Sequence, residues 1–277
     1  MEKNEYREIT FKEMQKMELE VLVQIDSICR KHGITYFLMF GTLLGAVRHH
    51  GFIPWDYDID IALLRKEFDR LINVLTNDEE FSNKYFIQTI NSDKKYSHTL
   101  ARILIKDTKF CWKNGYTGIQ KNGIHIDIFP FEVQSFNEKE MQKQYKKKTR
   151  LNLLYYYRFG NLNATTFIKK VEKSLLHLFL SPLTIRVFTK KRLKLSKNSD
   201  VELEKAVIGN YNDNMKFMKG ELFKEFMDID FEGHQFIIPK RYDEILKFLY
   251  GDYMQFPPEN QRIIDVHGFV KVGDHHE

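Results

Sequence analysis

Residues 56–63, with the sequence DYDIDIAL, alternate acidic and apolar side chains and constrain the fold more than any other segment. Side chains of an extended strand point alternately to its two faces, so Asp58 and Asp60 share one face and the isoleucines that alternate with them share the other. Asp56 continues the acidic face. Carboxylates at this spacing repel each other and raise each other's pKa unless a cation lies among them. The segment therefore predicts a strand, about Tyr57 to Leu63, with one apolar face and one cation-binding face.

A divalent cation would relieve this repulsion, and Mg²⁺ in particular prefers a few carboxylates together with phosphate oxygens. Such an arrangement suits phosphoryl transfer, because the cation orients the phosphate and neutralises developing charge. Two residues that follow the preceding apolar segment fit a phosphate: Gly41 lets the backbone approach it closely, and Thr42 adds a hydroxyl donor. Arg48 is either a clamp for a phosphate or an ordinary surface residue.

A second acidic segment, HIDIFPFE at residues 125–132, places Asp127 within an otherwise apolar strand. A carboxylate in such a strand is costly to bury unless something pairs with it. If this strand lies beside the first, Asp127 completes a three-carboxylate cluster with Asp58 and Asp60 that can hold one or two metal ions. Arg102, in the middle of another apolar segment, is a candidate partner for these carboxylates or for a donor phosphate.

Two other interpretations of the acidic segment remain. Counting from Asp56, acids at the first, third and fifth positions and Glu67 at the twelfth match an EF-hand loop. The sixth position is Ile61, where that loop needs glycine for its sharp turn, so this kind of calcium site is disfavoured. The other interpretation is an acidic edge strand that only prevents aggregation. The histidines lack the spacing of a zinc site, and we expect His125 to hydrogen-bond to a ligand rather than to bind metal.

The composition indicates a folded protein in a reducing compartment. The 277 residues are 43% hydrophobic, with 23 Phe and 14 Tyr, which is enough to bury a sizeable core. Cys29 and Cys111 lie far apart and form neither a disulfide framework nor a zinc motif. The N-terminus has no apolar signal segment, and the apolar stretch at residues 175–185 is too short to span a membrane. We therefore expect a cytoplasmic location.

The formal net charge of +5 is concentrated in the middle third of the chain. The basic residues form two clusters, which are Lys146, Lys147, Lys148 and Arg150, and Lys190, Lys191, Arg192 and Lys194. These residues are either solvated helix faces or a surface that attracts an anionic polymer, lipid headgroups or a nucleotide. Peripheral contact with the inner face of the membrane is consistent with the second interpretation, and nucleic acid is not expected as a partner.

Hydrophobic periodicity switches between helix and strand and predicts an α/β (α+β) fold. Thr10 and Glu13 form a capping box before a helix that ends near Gly33. Strands are predicted at residues 35–40, 85–89, 100–106, 124–129 and 236–238, and helices near residues 43–47, 68–75 and 242–250. Three regions are predicted, which are a catalytic core at 1–136, a basic helical region at 137–200 and a mixed C-terminal segment at 201–277 that completes the core. The helical region has an apolar stripe through Phe167, Val171, Leu175 and Phe179.

Residues 40–63, FGTLLGAVRHHGFIPWDYDIDIAL, together with HIDIFP at 125–130, closely resemble the LicD family of phosphotransferases, which also includes the fukutin-related ribitol-phosphate transferases. The resemblance extends to YDEILKFLYGDYMQFPP at residues 242–258. Family-like landmarks thus run from about residue 30 to the end, although the middle helical region contains no motif that matches. The first motif is specific, because its glycine, arginine, Trp-Asp and DxD elements recur in order.

The resemblance implies a nucleotidyltransferase-like mixed-sheet core and dependence on Mg²⁺ or Mn²⁺. It also implies transfer of phosphocholine, or a related alcohol or polyol phosphate, from a CDP-linked donor to a precursor of a cell-surface glycan such as lipopolysaccharide or teichoic acid. By motif position, Asp58 and Asp60 would be metal ligands, and Asp127 would be the third carboxylate or the base for the acceptor hydroxyl. Gly41 and Thr42 would hold the donor phosphate.

One departure from the family concerns the acidic motif, since many relatives have an unbroken DDD where this chain has DYD at residues 56–58. Tyr57 should face away from the acidic side, so the metal site is expected to survive, and the role of Asp56 as a ligand is left open.

A choline group would also need a site for its quaternary ammonium. Trp55, Trp112 and Tyr116 could contribute to an aromatic cage, although each of them could equally be a packing residue.

Two alternative functions remain. One is a nucleotidyltransferase acting on a small molecule or RNA, which would release pyrophosphate from a nucleoside triphosphate rather than CMP from a CDP-alcohol. The other is a non-catalytic module that binds an anionic polymer or a membrane through its basic helices and tolerates the loss of Asp58.

Overall fold

A computed structural model describes residues 6–96, 98–112, 121–135, 185–195, 206–209 and 218–271, together with residues 143, 146, 147, 150, 151 and 154. The described helices and strands are β1 (Tyr6–Ile9), α1 (Phe11–His32), β2 (Phe37–Leu38), α2 (Phe40–His49), β3 (Asp60–Leu64), α3 (Arg65–Asn77), α4 (Glu79–Lys84), β4 (Tyr85–Gln88), β5 (Ala101–Ile105), β6 (Thr108–Trp112), β7 (His125–Ser135), α5 (Ile185–Leu195), β8 (Ala206–Gly209), β9 (Met218–Lys219), β10 (Phe226–Phe231), β11 (His234–Pro239), α6 (Tyr242–Tyr250) and β12 (Val266–Lys271).

Helix α1 begins and ends as the sequence predicts. The Thr10 side chain accepts from the backbone N–H of Glu13, and the Glu13 carboxylate accepts from the backbone N–H of Thr10 at 2.7 Å. Gly33 ends the helix in the left-handed conformation, with φ of 58°. The buried face of α1 is mostly apolar, but Glu18 also lies on it.

The central sheet follows the order β2-β3-β7-β5-β4, and β8 and β9 extend it from β7. Strands β3 and β7 run parallel, whereas the other neighbours in this sheet are antiparallel. Helix α1 packs against β7, and Arg65 at the start of α3 bonds to Glu132 of the same strand. The mixed sheet with packed helices confirms the predicted α/β (α+β) fold class.

A smaller sheet brings the two ends of the described chain together. Its strand order is β1-β12-β6, so the C-terminal strand lies between the N-terminal strand and β6. Gly268 of β12 lies directly under α1, where an added Cβ would be 3.1 Å from the Met14 sulfur. The β10–β11 hairpin packs against β2 and contributes Phe231 and Phe236 to the main core.

Three predicted boundaries are wrong, and two of them share one local reason. The strand predicted over residues 35–40 is only Phe37–Leu38, because Phe40 adopts a left-handed conformation with φ of 51° and turns the chain directly into α2. Helix α2 therefore begins at Phe40 rather than near residue 43. The acidic strand begins at Asp60 rather than near Tyr57, so Asp58 lies just before it. The tail helix, Tyr242–Tyr250, is where the sequence predicts it.

Most of the region predicted to be helical and basic lies outside the described residues, including the stripe through Phe167, Val171, Leu175 and Phe179. Within its described part, Lys146, Lys147 and Arg150 are helical and exposed, and Lys190, Lys191 and Lys194 are exposed on α5. None of the helices in the described ranges is both long enough and apolar enough to cross a bilayer. The boundaries at residues 136 and 200, and contact with a membrane surface, stay predictions.

Candidate active site

The two acidic segments meet on neighbouring strands. Asp60 and Asp127 are directly opposite each other in the parallel β3–β7 ladder, and the backbone N–H of Asp127 donates to the Ile59 carbonyl at 2.9 Å. Arg102 is opposite Asp127 on the other side, in the antiparallel β5–β7 pair. Side chains at paired positions of adjacent strands project from the same face. The structure therefore brings Asp60, Asp127 and Arg102 together on one face of the central sheet.

Asp56 and Asp58 approach this face from the extended segment that precedes β3. The Asp56 carboxylate lies against Gly41, so closely that a Cβ added at position 41 would collide with it. Helix α1 contacts the same segment, because the Gln15 side chain donates a hydrogen bond to the Asp56 carbonyl at 2.9 Å. Gly41 therefore makes room for Asp56 in this structure, and its predicted contact with a phosphate stays a prediction.

Thr42 positions Asp60. The Thr42 side chain is buried, and its hydroxyl oxygen accepts from the backbone N–H of Asp60 at 2.7 Å. The left-handed turn at Phe40 sets this contact, because it directs the first turn of α2 toward the start of β3. Backbone conformations of this kind are costly for residues other than glycine and are concentrated at functional sites. The hydroxyl proton of Thr42 remains a donor for a bound group.

Burial and mutual repulsion raise the pKa of both Asp58 and Asp60 well above the usual range of an aspartate. The other aspartates add to the rise for each, and only Arg102 opposes it. The carboxyl group of Asp56, next to that of Asp58, further raises the pKa of Asp58. The cluster thus carries more carboxylate charge than its one neighbouring guanidinium offsets.

Asp127 and Arg102 form a buried ion pair. The Arg102 Nε donates to Asp127 Oδ1 at 2.8 Å, and a terminal nitrogen lies 3.3 Å from Oδ2. Arg102 therefore binds the carboxylate cluster, which is the first of its two predicted roles. His125 lies behind the pair, with Nε2 at 3.9 Å from Asp127 Oδ1 and Nδ1 at 2.8 Å from the Gly123 carbonyl. Burial lowers the pKa of His125 to about 4, so its ring is neutral near pH 7.

The acids suit a hard divalent cation by their chemistry. Within the ranges that the structure describes, no three histidine, cysteine or acidic side chains already stand in a metal-binding arrangement. The available donors are all carboxylate oxygens, which Mg²⁺ and Mn²⁺ prefer. The neighbouring carboxyl groups of Asp56 and Asp58 raise the pKa of Asp58, and a cation placed beside them would relieve this repulsion. Asp58 and Asp60 fit this role, and the predicted part of Asp127, which is paired with Arg102, in binding the metal stays a prediction.

An aromatic and cationic rim borders the acids, formed by Arg48, Trp55, Tyr250, Phe256 and Arg262. The guanidinium carbon of Arg48 lies 4.8 Å from the centre of the Phe256 ring, and that of Arg262 lies 5.4 Å from the same ring and 5.5 Å from Trp55. Burial raises the pKa of the Tyr250 phenol, Asp60 and the neighbouring aspartates raise it further, and Arg48 opposes this.

The two rim arginines lack carboxylate partners among the described residues. Arg48 donates to the carbonyls of Tyr253 and Gln255 at 2.8 and 3.2 Å, and Arg262 donates to the Pro257 carbonyl at 2.8 Å. Burial lowers the pKa of Arg48, and repulsion from Arg262 lowers it further. Two guanidinium groups that repel each other and have no carboxylate partner among the described residues are suited to an anionic ligand.

The three aromatic residues considered for a choline cage do not form one unit. Trp55 contacts His49 and Phe256, whereas the Trp112 ring lies 5.0 Å from that of Tyr57. No ring contact joins the two tryptophans in the described part of the chain, and Tyr116 lies outside it. Tyr57 packs with Trp112. Burial raises the pKa of its phenol and the four aspartates, led by Asp58, raise it further, so the structure does not bear out the expectation that Tyr57 faces away from the acidic side.

Sequence reasoning missed Glu18, Tyr250 and Arg262. Glu18 gave a usable signal, because it interrupts the apolar stripe of α1 between Met14 and Val21. Arg262 lies in an irregular segment with no periodicity, so only the folded chain places it beside α2.

Comparisons with known proteins agree with the motifs. Residues 33–169 match the model of the LicD/FKTN/FKRP nucleotidyltransferase domain. Over 264 residues, the chain is 29% identical to the lipopolysaccharide cholinephosphotransferase LicD of Haemophilus influenzae, which covers 92% of this chain and 96% of that protein. It is 24% identical over 106 residues to the ribitol 5-phosphate transferase FKRP of Homo sapiens, which covers 36% of this chain and 17% of that protein. An uncharacterized protein of Rickettsia prowazekii is 31% identical over 78 residues, covering 28% of this chain and 27% of that protein.

Proposed function

This chain belongs to the LicD family and is a phosphotransferase, and we propose that it transfers phosphocholine, or a related alcohol or polyol phosphate, from a CDP-linked donor to a hydroxyl of a cell-surface glycan precursor. Phosphocholine is favoured because the similarity to the Haemophilus influenzae cholinephosphotransferase spans nearly all of both proteins. The similarity to the ribitol 5-phosphate transferase is confined to 36% of this chain.

One observation carries the proposal: Asp60 and Asp127 face each other on neighbouring strands, with Asp58 beside them and only Arg102 to offset their charge. The excess carboxylate charge supports a site for Mg²⁺ or Mn²⁺, held by Asp58 and Asp60. When bound, such a cation neutralises charge on the transferred phosphate and on the leaving CMP.

Asp127 fits the role of the base that accepts the proton of the attacking hydroxyl. Its paired guanidinium holds the carboxylate in one orientation, and the neutral His125 ring lies behind it. A fixed carboxylate beside the phosphate accounts for the positioning that this kind of transfer requires. Arg102 is thereby a positioning residue for Asp127.

The donor's diphosphate fits between the acids and the rim. Arg48 and Arg262 offer guanidinium groups with no carboxylate partner among the described residues, and the first turn of α2 offers the Thr42 hydroxyl. The N-terminus of a helix also favours negative charge. The half-exposed rings of Tyr250 and Phe256 are available to stack on the donor or to contact a quaternary ammonium.

A donor screen tests the proposal. The full chain is incubated with Mg²⁺, a lipopolysaccharide or teichoic-acid acceptor, and CDP-choline, CDP-ethanolamine, CDP-ribitol or CDP-glycerol in separate reactions, and release of CMP is measured. We expect acceptor-dependent CMP release, largest with CDP-choline, and loss of the signal in EDTA. The Asp60→Asn variant should lose at least about a hundredfold in rate. Asp69→Asn, at an exposed position of α3, should retain the wild-type rate.

Three outcomes would contradict the proposal. Release of pyrophosphate from nucleoside triphosphates, without CMP release from any CDP-alcohol, would identify a nucleotidyltransferase instead. Full activity of Asp60→Asn would remove the cation site. Binding of anionic polymer with no turnover under any condition would favour the non-catalytic module.

A further inference from the structure

Glu18 is a buried acid that no predicted role explains. It lies in the middle of α1 on the same stripe as Met14, Val21 and Ile25, and only 1% of it is exposed. Its Oε2 atom is buried without a hydrogen-bond partner among the described residues. A carboxyl group in that position loses its hydration and gains nothing in return, which is destabilising unless a ligand compensates for it.

The side chain is directed at the acid cluster. One turn earlier, the Gln15 side chain donates to the Asp56 carbonyl at 2.9 Å, which fixes this part of α1 over the segment that carries the aspartates. Residues three apart lie on the same face of a helix, so Glu18 lies on the face of α1 from which Gln15 reaches the Asp56 carbonyl. Burial raises the pKa of Glu18 well above its usual range, and repulsion from the four aspartates, led by Asp58, raises it further.

We propose that Glu18 is an additional carboxylate ligand of the divalent cation, contributed by α1 from the side opposite the strands. The inference rests on the proposed cation dependence of the site. An unpartnered oxygen facing a surplus of carboxylates is explained if a cation occupies the space between them, because one ion then compensates Glu18, Asp58 and Asp60 together. The cation would in this way link α1 to the central sheet.

Binding of Mn²⁺ to the full-length chain, followed by the electron paramagnetic resonance signal of the free ion, tests this without any substrate. Glu18→Gln keeps the size of the side chain and removes its charge. We expect the affinity for Mn²⁺ to fall about 10- to 100-fold in this variant. Glu20→Gln on the exposed face of the same helix is the matched control and should bind Mn²⁺ as the wild type does.

Thermal unfolding gives a second readout. In EDTA, Glu18→Gln should melt at the wild-type temperature or higher, since it removes a repelling acid. Added Mn²⁺ should raise the melting temperature of the wild type more than that of the variant. If Glu18→Gln does not fold, Glu18→Asp, which shortens the side chain by one methylene, is measured in the same way and should also bind Mn²⁺ more weakly.

The outcomes separate the inference from the proposed function. If the wild type binds Mn²⁺, Asp60→Asn does not, and the Glu18 variant matches the wild type, the role of Glu18 is overturned while the proposed site stands. If the wild type binds no Mn²⁺, the inference and the cation dependence fail together. Weaker binding in the Glu18 variant with unchanged binding in Glu20→Gln supports the inference.

Discussion

Strand β7 carries the acids of two buried arginine–carboxylate pairs, which have similar geometry and are expected to have different functions. Asp127 is held by Arg102, and five residues later Glu132 is held by Arg65, whose Nε donates to it at 2.9 Å. An odd separation along a strand places the two acids on opposite faces of the sheet. Both carboxyl groups are almost fully buried. The geometry of the ion pair alone therefore does not distinguish a functional acid from a structural one.

The charges around each pair distinguish the functional acid from the structural one. Burial raises the pKa of Glu132 and Arg65 opposes this rise, while Arg65 also contacts Asp69, whose side chain is exposed to solvent. Arg102, in contrast, faces Asp127 together with the charge of Asp58 and Asp60, which are themselves largely buried. A pair whose second acid is solvated contributes mainly to the packing of the sheet, whereas a cluster of buried acids leaves charge for a ligand to neutralise.

The largest expected effect is on turnover. Asp127→Asn should reduce CMP release from the best CDP-alcohol at least about a hundredfold, because the proton acceptor is lost while the shape is kept. Glu132→Gln should retain the wild-type rate per folded molecule. Rates are compared after the folded fraction is measured by circular dichroism. Equal losses in both variants would show that the two faces of β7 do not differ in function.

The next effect is on stability and should be similar on both faces. Arg65→Met and Arg102→Met each leave a buried carboxylate unpaired and should lower the free energy of unfolding by about 3–5 kcal/mol. Chemical denaturation at pH 8 measures both. The comparison is sharper with Mn²⁺, which should stabilise Arg65→Met by the same amount as the wild type and Arg102→Met by more, because the cation also compensates the unpaired Asp127. Equal stabilisation of both variants would contradict the placement of the cation.

The smallest expected effect is a pH dependence of stability, which is expected only on the face of β7 that carries Asp127. Folded His125 takes up a proton near pH 4, whereas an unfolded histidine does so near pH 6.5. The unfolded chain binds the proton first, so stability from this group is present above pH 6.5 and is lost as the pH falls toward 4, by roughly 3 kcal/mol. Stability of His125→Gln should therefore depend less steeply on pH over this range than that of the wild type. The exposed His234→Gln variant should match the wild type, and a wild-type pH profile for His125→Gln would refute the assignment.

The alternation of acidic and apolar residues predicts an acidic strand face but not the point at which the strand begins. Pairing starts at Asp60 because the Thr42 hydroxyl accepts its N–H, and that contact joins residues 18 positions apart. The early start of α2 depends in the same way on Phe40, whose left-handed conformation is set by tertiary packing against Phe129 and Phe131. Local propensity carries no information about either contact.

The convergence of Asp127 with Asp60 is expected from the family resemblance, and the register of β3 and β7 supplies the physical reason. Glu18 is different, because the sequence shows that it lies on an apolar helical stripe but does not show which residues it faces. The partner of Arg102 is a comparable case: the sequence leaves carboxylate and phosphate open, and the antiparallel pairing of β5 with β7 decides for the carboxylate.

The place of β12 between β1 and β6 has a consequence for how the molecule matures. Helix α1 rests on Gly268 of this strand, which is separated from Met14 by most of the chain. During synthesis, α1 can form early, but the surface against which it packs is complete only when residues 266–271 have been made. Loop closure over such a separation is slow. A nascent chain would therefore pair β3, β7 and β5 before α1 is fixed against β12.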